Sequence, residues 1–283
     1  MKQLLTTLIV LLSLSVFGQH KSPYSIFEAD GTKSNYGKML KKIIKKDVVL
    51  FGEFHNNPVD HWLQFELISD LKDVKNLKVG AEMFETNAQK IIDDYFLNDV
   101  DQDYFENNIN LWSNYKTDYK PILDYCKGFN IPFIATNTPA EYCTIVYRDG
   151  FEPILNLVQE EKNLLPNLPI PFEPELSQYK RILEMAGDHG TENTVKAQAL
   201  KDATMAWFIN ENFRMGDIVF HINGTYHSNY HEGIYWYLNR YNPGLEVVTI
   251  ATVEQDQIEL IEEGNLNLAD FIIIVSSKMT KSY

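Results

Sequence analysis

Asp47-Val48-Val49-Leu50-Phe51-Gly52-Glu53-Phe54-His55 decides how this chain is read. Val48–Phe51 is apolar throughout and does not alternate, the pattern of a strand covered on both faces. Glu53 and His55 therefore fall where that strand ends. The same pattern returns far downstream, where Gly224-Thr225-Tyr226-His227 follows the strand-like run Asp217–Ile222. Two Gly-x-x-His motifs at two strand ends put two imidazoles at one edge of a sheet. One copy would say little, since short motifs recur by chance; the repeated strand context carries the signal.

Working outward, further strand-like runs lie at Leu77–Ala81, Ile131–Ala135, Val247–Ala251 and Phe271–Val275. Helical segments separate them. Asn57-Pro58 is an N-cap followed by proline at the first helical position, and His61, Phe65 and Ile68 then recur at helical spacing. Thr138-Pro139 repeats this start signal, and Thr86 caps a helix running through Ile92 to Phe96. Strand–helix alternation predicts an α/β fold, with a mainly parallel sheet flanked by helices and right-handed crossovers. Residues 151–215 break the rhythm. Helices are expected at Glu152–Glu161, Glu175–Ala186 and Thr191–Phe213, with a proline-rich joint at Pro166–Pro171. This reads as a helical lid inserted into one α/β domain.

The first 18 residues read as a signal peptide. Lys2 supplies the positive start, Leu4–Phe17 is an apolar run too short to span a bilayer comfortably, and Gly18 offers a cleavage position. The mature chain would begin near Gln19 or His20 and form a single domain over 19–283. No cysteine follows the apolar run to accept lipid, so the expectation is an exported protein, periplasmic or secreted, touching a membrane only through a partner. The net charge of −14 argues against nucleic acid, whose affinity comes from phosphate neutralisation. The two cysteines, Cys126 and Cys143, sit in helix-like segments flanking one strand. Export permits a disulfide between them, and two buried thiols fit equally well.

Ligands in open parallel sheets bind outside the carboxyl ends of the strands. There the sequence places Glu53, His55, Glu82, Glu85, Asn137 and His227. In extended chain Glu53 and His55 point to the same side. That suits a carboxylate and imidazole sharing a proton, or two ligands of one metal such as zinc or manganese. The catalytic set is Glu53, His55, Glu82 and His227, with Glu82 a general base if burial lifts its pKa. The metal set is His55, Glu82 and His227. Against both stands a bland reading, in which Glu53 caps a helix and His55 bonds a backbone carbonyl. His231 lies four residues after His227 but lacks the glutamate of a His-Glu-x-x-His site, and reads as an ordinary polar residue. Tyr226 and Tyr230 share that spacing and read as packing, although phenolate also ligates haem iron. His189 sits in a turn between two insertion helices and is either solvated or a lid histidine reaching a ligand's carboxylate. His61 reads as a core histidine, and Trp112, Tyr115 and Tyr119 as packing under the lid. A nucleophile elbow, a P-loop and a dinucleotide fingerprint are all absent from the sequence.

Gly52-Glu53-Phe54-His55-Asn56-Asn57-Pro58, His61, Gln64, Glu82-Met83-Phe84, Asn137-x-Pro139, Ala197-Gln198-Ala199-Leu200-Lys201-Asp202-Ala203-Thr204-Met205-Ala206 and Gly224-x-x-His227 together resemble the ChaN-like family of haem-binding uptake proteins. That family belongs to the Tiki superfamily, with erythromycin esterase-like and TraB-like proteins. The resemblance runs in order from about residue 44 to 252. It implies an α/β core with a helical lid, an extracytoplasmic setting, haem as cofactor and a haem-linked homodimer. Members are often lipoproteins, and here this chain departs from the pattern.

Three functions follow. The resemblance implies a haem-binding protein in iron or haem uptake, its hallmarks falling on His55, His227, Glu53, Glu82 and Glu85; Tyr226, Tyr230 and His189 are the cofactor-binding candidates that the residues themselves offer. The residues themselves favour a hydrolase, metal-dependent or acid–base, in which the paired Gly-x-x-His and glutamate site activates water. The third is a non-catalytic binding domain with a vestigial site.

Overall fold

The computed structural model describes residues 22–283. The signal-peptide reading lies outside these residues. Seven strands form one sheet: β1 Tyr24–Glu28, β2 Val48–Glu53, β3 Asn76–Glu85, β4 Phe133–Asn137, β5 Asp217–Gly224, β6 Val247–Gln255 and β7 Phe271–Ser276. Their order is β1-β7-β6-β2-β5-β3-β4. Every pairing is parallel except that of β1 with β7. Edge strand β1 was not expected; Tyr-Ser-Ile-Phe-Glu lacks a continuous apolar run, and its pairing with β7 makes it a strand.

The helices are α1 Tyr36–Ile43, α2 Pro58–Leu71, α3 Gln89–Phe96, α4 Gln102–Asn108, α5 Lys120–Gly128, α6 Ala140–Asp149, α7 Gln159–Lys162, α8 Ser177–Ala186, α9 Glu192–Asn212 and α10 Ile234–Tyr241. As the α/β reading requires, they cover both faces. Val49, Phe51, Val79, Phe133 and Phe220 point to one side and pack with α1 through α5. Val48, Leu50, Ile134 and Val219 point to the other and pack with α6, α8, α9 and α10. This period of two, apolar on both faces, is why the strands showed no alternation.

Local starts follow their chemistry. Asn57 caps α2, its Oδ1 accepting the Val59 N–H at 2.9 Å, with Pro58 first in the helix. Thr86 does not cap; its hydroxyl donates to the Leu164 carbonyl, and a 3₁₀ turn over Thr86–Ala88 precedes α3. The segment 151–215 is strand-free. Its first expected helix, Glu152–Glu161, is instead a 3₁₀ turn at Pro153–Asn156 and the single turn α7, because Leu157-Val158 runs extended between them. Both cysteines are free thiols. Cys126 on α5 belongs to one face of the sheet, and α6, which carries Cys143, packs on the other. Trp112, Tyr115 and Tyr119 also lie on the α1–α5 face, away from the α8–α9 side where the inserted helices pack.

Candidate functional site

The adjacency of β2 and β5 brings the two motifs together: Gly52 pairs with Asn223 and Glu53 with Gly224. Both motif glycines are places of close approach. A Cβ on Gly52 would lie 2.9 Å from the Ile250 carbonyl oxygen and from the Thr225 Cα. A Cβ on Gly224 would lie 2.8 Å from His55 Nε2 and 2.9 Å from His55 Cε1. The first motif's imidazole therefore rests on the second motif's glycine.

Glu53 is buried at the end of β2 and gathers donors from the α1–α5 face. His55 Nδ1 donates at 2.9 Å, the Tyr119 hydroxyl at 2.7 Å and Gln64 Nε2 at 2.5 Å. Tyr119 is delivered by a π-helical turn over Tyr115–Tyr119, a widening of the helix often found at functional positions. His61 Nδ1 stands 3.4 Å from the second Glu53 oxygen, and His61 Nε2 the same distance from Asp118. Burial alone would raise the Glu53 pKa; the hydrogen bonds and charges of His55 and His61 outweigh it and hold it at about 2. Burial opposes a charged His61 too, yet Glu53 and Asp118 raise it to about 9. For His55, burial is again outweighed, by Glu53 and Glu82, and the shift is upward. With Nδ1 donating to a carboxylate, His55 presents Nε2 to the outside.

The second cluster is built differently. The β3–β4 register shifts between Ala81 and Glu85, an irregularity of the kind that re-aims side chains, and Glu82 lies within it. Glu82 accepts the Gly224 N–H at 2.7 Å and stands 3.2 Å from His227 Nε2. His227 Nδ1 lies 2.5 Å from Asp202 on α9, and the Tyr179 hydroxyl of α8 donates to the other Asp202 oxygen at 2.9 Å. Burial would lower the His227 pKa, but Glu82 and Asp202 raise it to about 10. His227 is thus an imidazolium with both N–H groups committed to carboxylates.

The structure brings Glu53, His55, Glu82 and His227 to one strand-end site. It does not bring the other expected residues there, Tyr226 excepted. Tyr230 has φ +58° and packs with the group around Phe27 and Val253. His189 is exposed in a 3₁₀ turn after α8. His231 stands 3.3 Å from Asp270, and Glu85 accepts from Asn110 at 3.0 Å. Among the described residues no group of three or more His, Cys, Asp or Glu side chains is arranged to hold an ion. The physical reason is pairing, since His227 spends both nitrogens and Glu82 both oxygens on protein partners. His61 is more than a core histidine, standing between Glu53 and Asp118. Sequence reasoning read Tyr119 only as packing, quoted Gln64 and Asp202 only as part of the family resemblance, and gave no role to Asp118 or Tyr179. Asp202 carried a readable signal, a charge on the same helical stripe as buried Val195, Ala199 and Ala206.

Over this site lies an open cleft of about 390 Å³. His55, Gly224, Tyr226 and His227 form its floor, and Ile182, Met185 and Ala186 of α8 its wall. Met185 is 65 % exposed, an apolar side chain facing solvent. A larger hollow of about 580 Å³ sits elsewhere, by Lys42, Lys45 and Lys46. Lys42 and Lys46 are tied to Glu28 and Glu246 there, and no motif residue reaches it. The cleft's donor set fits haem: an imidazole nitrogen without a protein partner, a phenol and an apolar wall.

Comparison with known proteins gives the family and the fold. A family model described as haem-binding uptake, Tiki superfamily, ChaN, matches residues 39–238, and the chain belongs to that family. The solved structure of ChaN of Campylobacter jejuni, described by its cofacial haem binding, is 18% identical with a TM-score of 0.67. It covers 89% of this chain, and the match takes in 96% of that one. At that identity the likeness is one of fold. A curated relative, protein RETICULATA-RELATED 5, chloroplastic, of Arabidopsis thaliana, is 23% identical over 135 residues. The match takes in 45% of this chain and only 18% of that protein's length. Among the described residues no helix is long and apolar enough to cross a membrane.

Proposed function

We propose that this protein binds haem in the cleft over the ends of β2 and β5 and serves haem or iron uptake outside the cytoplasm. Family membership across residues 39–238 carries this reading. The cleft supports it with two groups that haem iron accepts, His55 Nε2 and the Tyr226 phenol. When bound, haem would supply an iron centre, which His55 or Tyr226 would hold. The chain's own part is to present one ligand, cover one face with Ile182, Met185 and Ala186, and fix the His55 ring through Glu53. Because the cleft is open, a second copy is the natural cover for the other face. A haem-linked homodimer is the form this reading expects, and ChaN of Campylobacter jejuni, which shares the fold, is described by cofacial haem binding. Export ahead of this task rests on the leader-like first 18 residues.

The test is a haem titration of the chain without its leader, following the Soret band and sedimentation together. Saturable binding with a rise in mass is expected. Tyr226→Phe and His55→Ala then separate the ligands, since losing the iron ligand alters the spectrum. No saturable spectral change would refute the reading.

A second reading is favoured by one observation, the two buried carboxylate–imidazole networks. In a metal-independent acid–base hydrolase, His55 Nε2 would take a proton from water while Glu53 orients the ring. His55→Ala would then abolish turnover of an ester or peptide library and leave the fold intact. Undiminished turnover in that variant would sink it.

A further inference from the structure

Arg181, Ile182, Met185 and Ala186 fall at i, i+1, i+4 and i+5 on α8 and form one stripe along the helix. Three of the four wall the cleft. The fourth, Arg181, is exposed and holds its guanidinium 5.9 Å from the ring of Tyr226 on the cleft floor. Its charge is uncommitted: among the described residues Arg181 forms no salt bridge, whereas neighbouring Lys180 is paired with Glu175 at 2.8 Å. Among the described residues other exposed cations, Lys38, Lys41 and Lys45 included, also go without a carboxylate; what sets Arg181 apart is its place beside Tyr226 on the stripe that walls the cleft. The other cations of this region are placed otherwise. Lys196 pairs with Glu192 at 2.9 Å, and Lys201 lines a neighbouring groove beside Cys143 that meets the cleft at Gln198 but takes in neither Tyr226 nor the α8 wall.

We propose that Arg181 is the anion-recognition residue of the cleft, and that the ligand is a flat apolar molecule bearing a carboxylate that reaches this guanidinium. The ring of Tyr226 and the apolar stripe take the flat body, and the planar fork of Arg181 takes the acid group in a bidentate hydrogen bond. The inference rests on the haem reading, deepens it, and adds a residue that chooses among tetrapyrroles. It distinguishes the free diacid from its neutral dimethyl ester, which has the same ring and the same iron.

The experiment titrates wild type and Arg181→Gln with haem and with haem dimethyl ester, in detergent at trace level, at low and high salt. Lys201→Gln serves as the charge-matched control. Wild type should bind the diacid about tenfold more tightly than the ester, a difference of about 1.4 kcal/mol. Arg181→Gln should erase that preference without changing ester affinity, and salt should shrink it in wild type. Lys201→Gln should leave it unchanged. Equal affinity of wild type for both forms, or loss of the preference in Lys201→Gln instead, would overturn the assignment. Failure of wild type to bind either form would refute the haem reading itself, a separate outcome. Circular dichroism of Arg181→Gln confirms that α8 remains folded.

Discussion

Gly224→Ala tests whether the two motifs form one site. The backbone there has φ −59° and ψ 141°, a conformation any residue adopts, so the substitution brings no backbone strain. Its whole cost comes from one contact, a methyl placed 2.8 Å from His55 Nε2 and 2.9 Å from Cε1. The next neighbour, Glu82 Oε2, is at an ordinary 3.5 Å. His55 cannot retreat freely, because its Nδ1 is held by Glu53 at 2.9 Å and its ring meets Trp112 edge-on with centroids 4.8 Å apart. Overpacking of this kind costs about 1–3 kcal/mol. His55→Ala removes the obstacle, so in the double variant the methyl should fit at little cost. A double-mutant cycle read from urea unfolding at pH 7 should give a coupling energy of about 1–2 kcal/mol. Haem affinity should fall in Gly224→Ala, whose ring is displaced into the cleft. Additivity of the two substitutions within about 0.5 kcal/mol would refute the packing of His55 on Gly224.

Three other expectations follow. Folded-state pKa values of about 9 for His61 and about 10 for His227 stand above the ordinary 6.5. Their stabilisation is therefore fully present below about pH 6.5 and lost as pH rises through 9 to 10. The urea midpoint should fall over that window, and His227→Gln should lose part of the slope; an unchanged slope would contradict the pairing with Glu82 and Asp202. Tyr119→Phe removes one of the three donors to buried Glu53 and should cost about 1–2 kcal/mol, with a loss under about 0.3 kcal/mol counting against the bond. A thiol-reactive dye should label half-buried Cys143 in the native protein and Cys126 only on unfolding, while failure of both to label after unfolding without reductant would reveal a disulfide.

The sheet was legible because its strands are short, apolar on both faces and alternate with helix starts, as a parallel sheet covered by helices requires. Edge strand β1 escaped because pairing, not composition, makes it a strand. Glu53, His55, Glu82 and His227 were legible because chemistry in this architecture gathers at strand ends, and strand ends can be read. Their partners come from elsewhere. Gln64 and His61 project from α2, Tyr119 from a π-helical turn and Asp202 from the middle of α9. Nothing local in a helix announces that one polar residue on its buried stripe will meet a carboxylate 66 residues away, as Tyr119 meets Glu53. The α8 wall was equally hidden. The sequence offered only a lid helix over Glu175–Ala186, and the fold is what leaves Met185 facing solvent over the site.

Two copies of one motif do not do one job. The residue after the motif glycine decides the difference, Glu53 in the first copy and Thr225 in the second. Glu53 is there to bind its own motif's imidazole, so His55 is held at one nitrogen by a residue two positions away and keeps the other for the cleft. Thr225 turns to Asn229 at 2.7 Å and leaves His227 to be claimed from outside by Glu82 and Asp202. A histidine pinned between two carboxylates supplies a fixed positive charge that keeps Glu82 and Asp202 tolerable in a buried place. One pinned at a single nitrogen supplies a directed lone pair or proton. Of the two motif histidines, His55 is the one whose second nitrogen has no protein partner among the described residues and faces the cleft, and on the proposed reading it is the one a ligand can meet. The second motif furnishes the surface on which it rests, Gly224, and the charge balance beneath it.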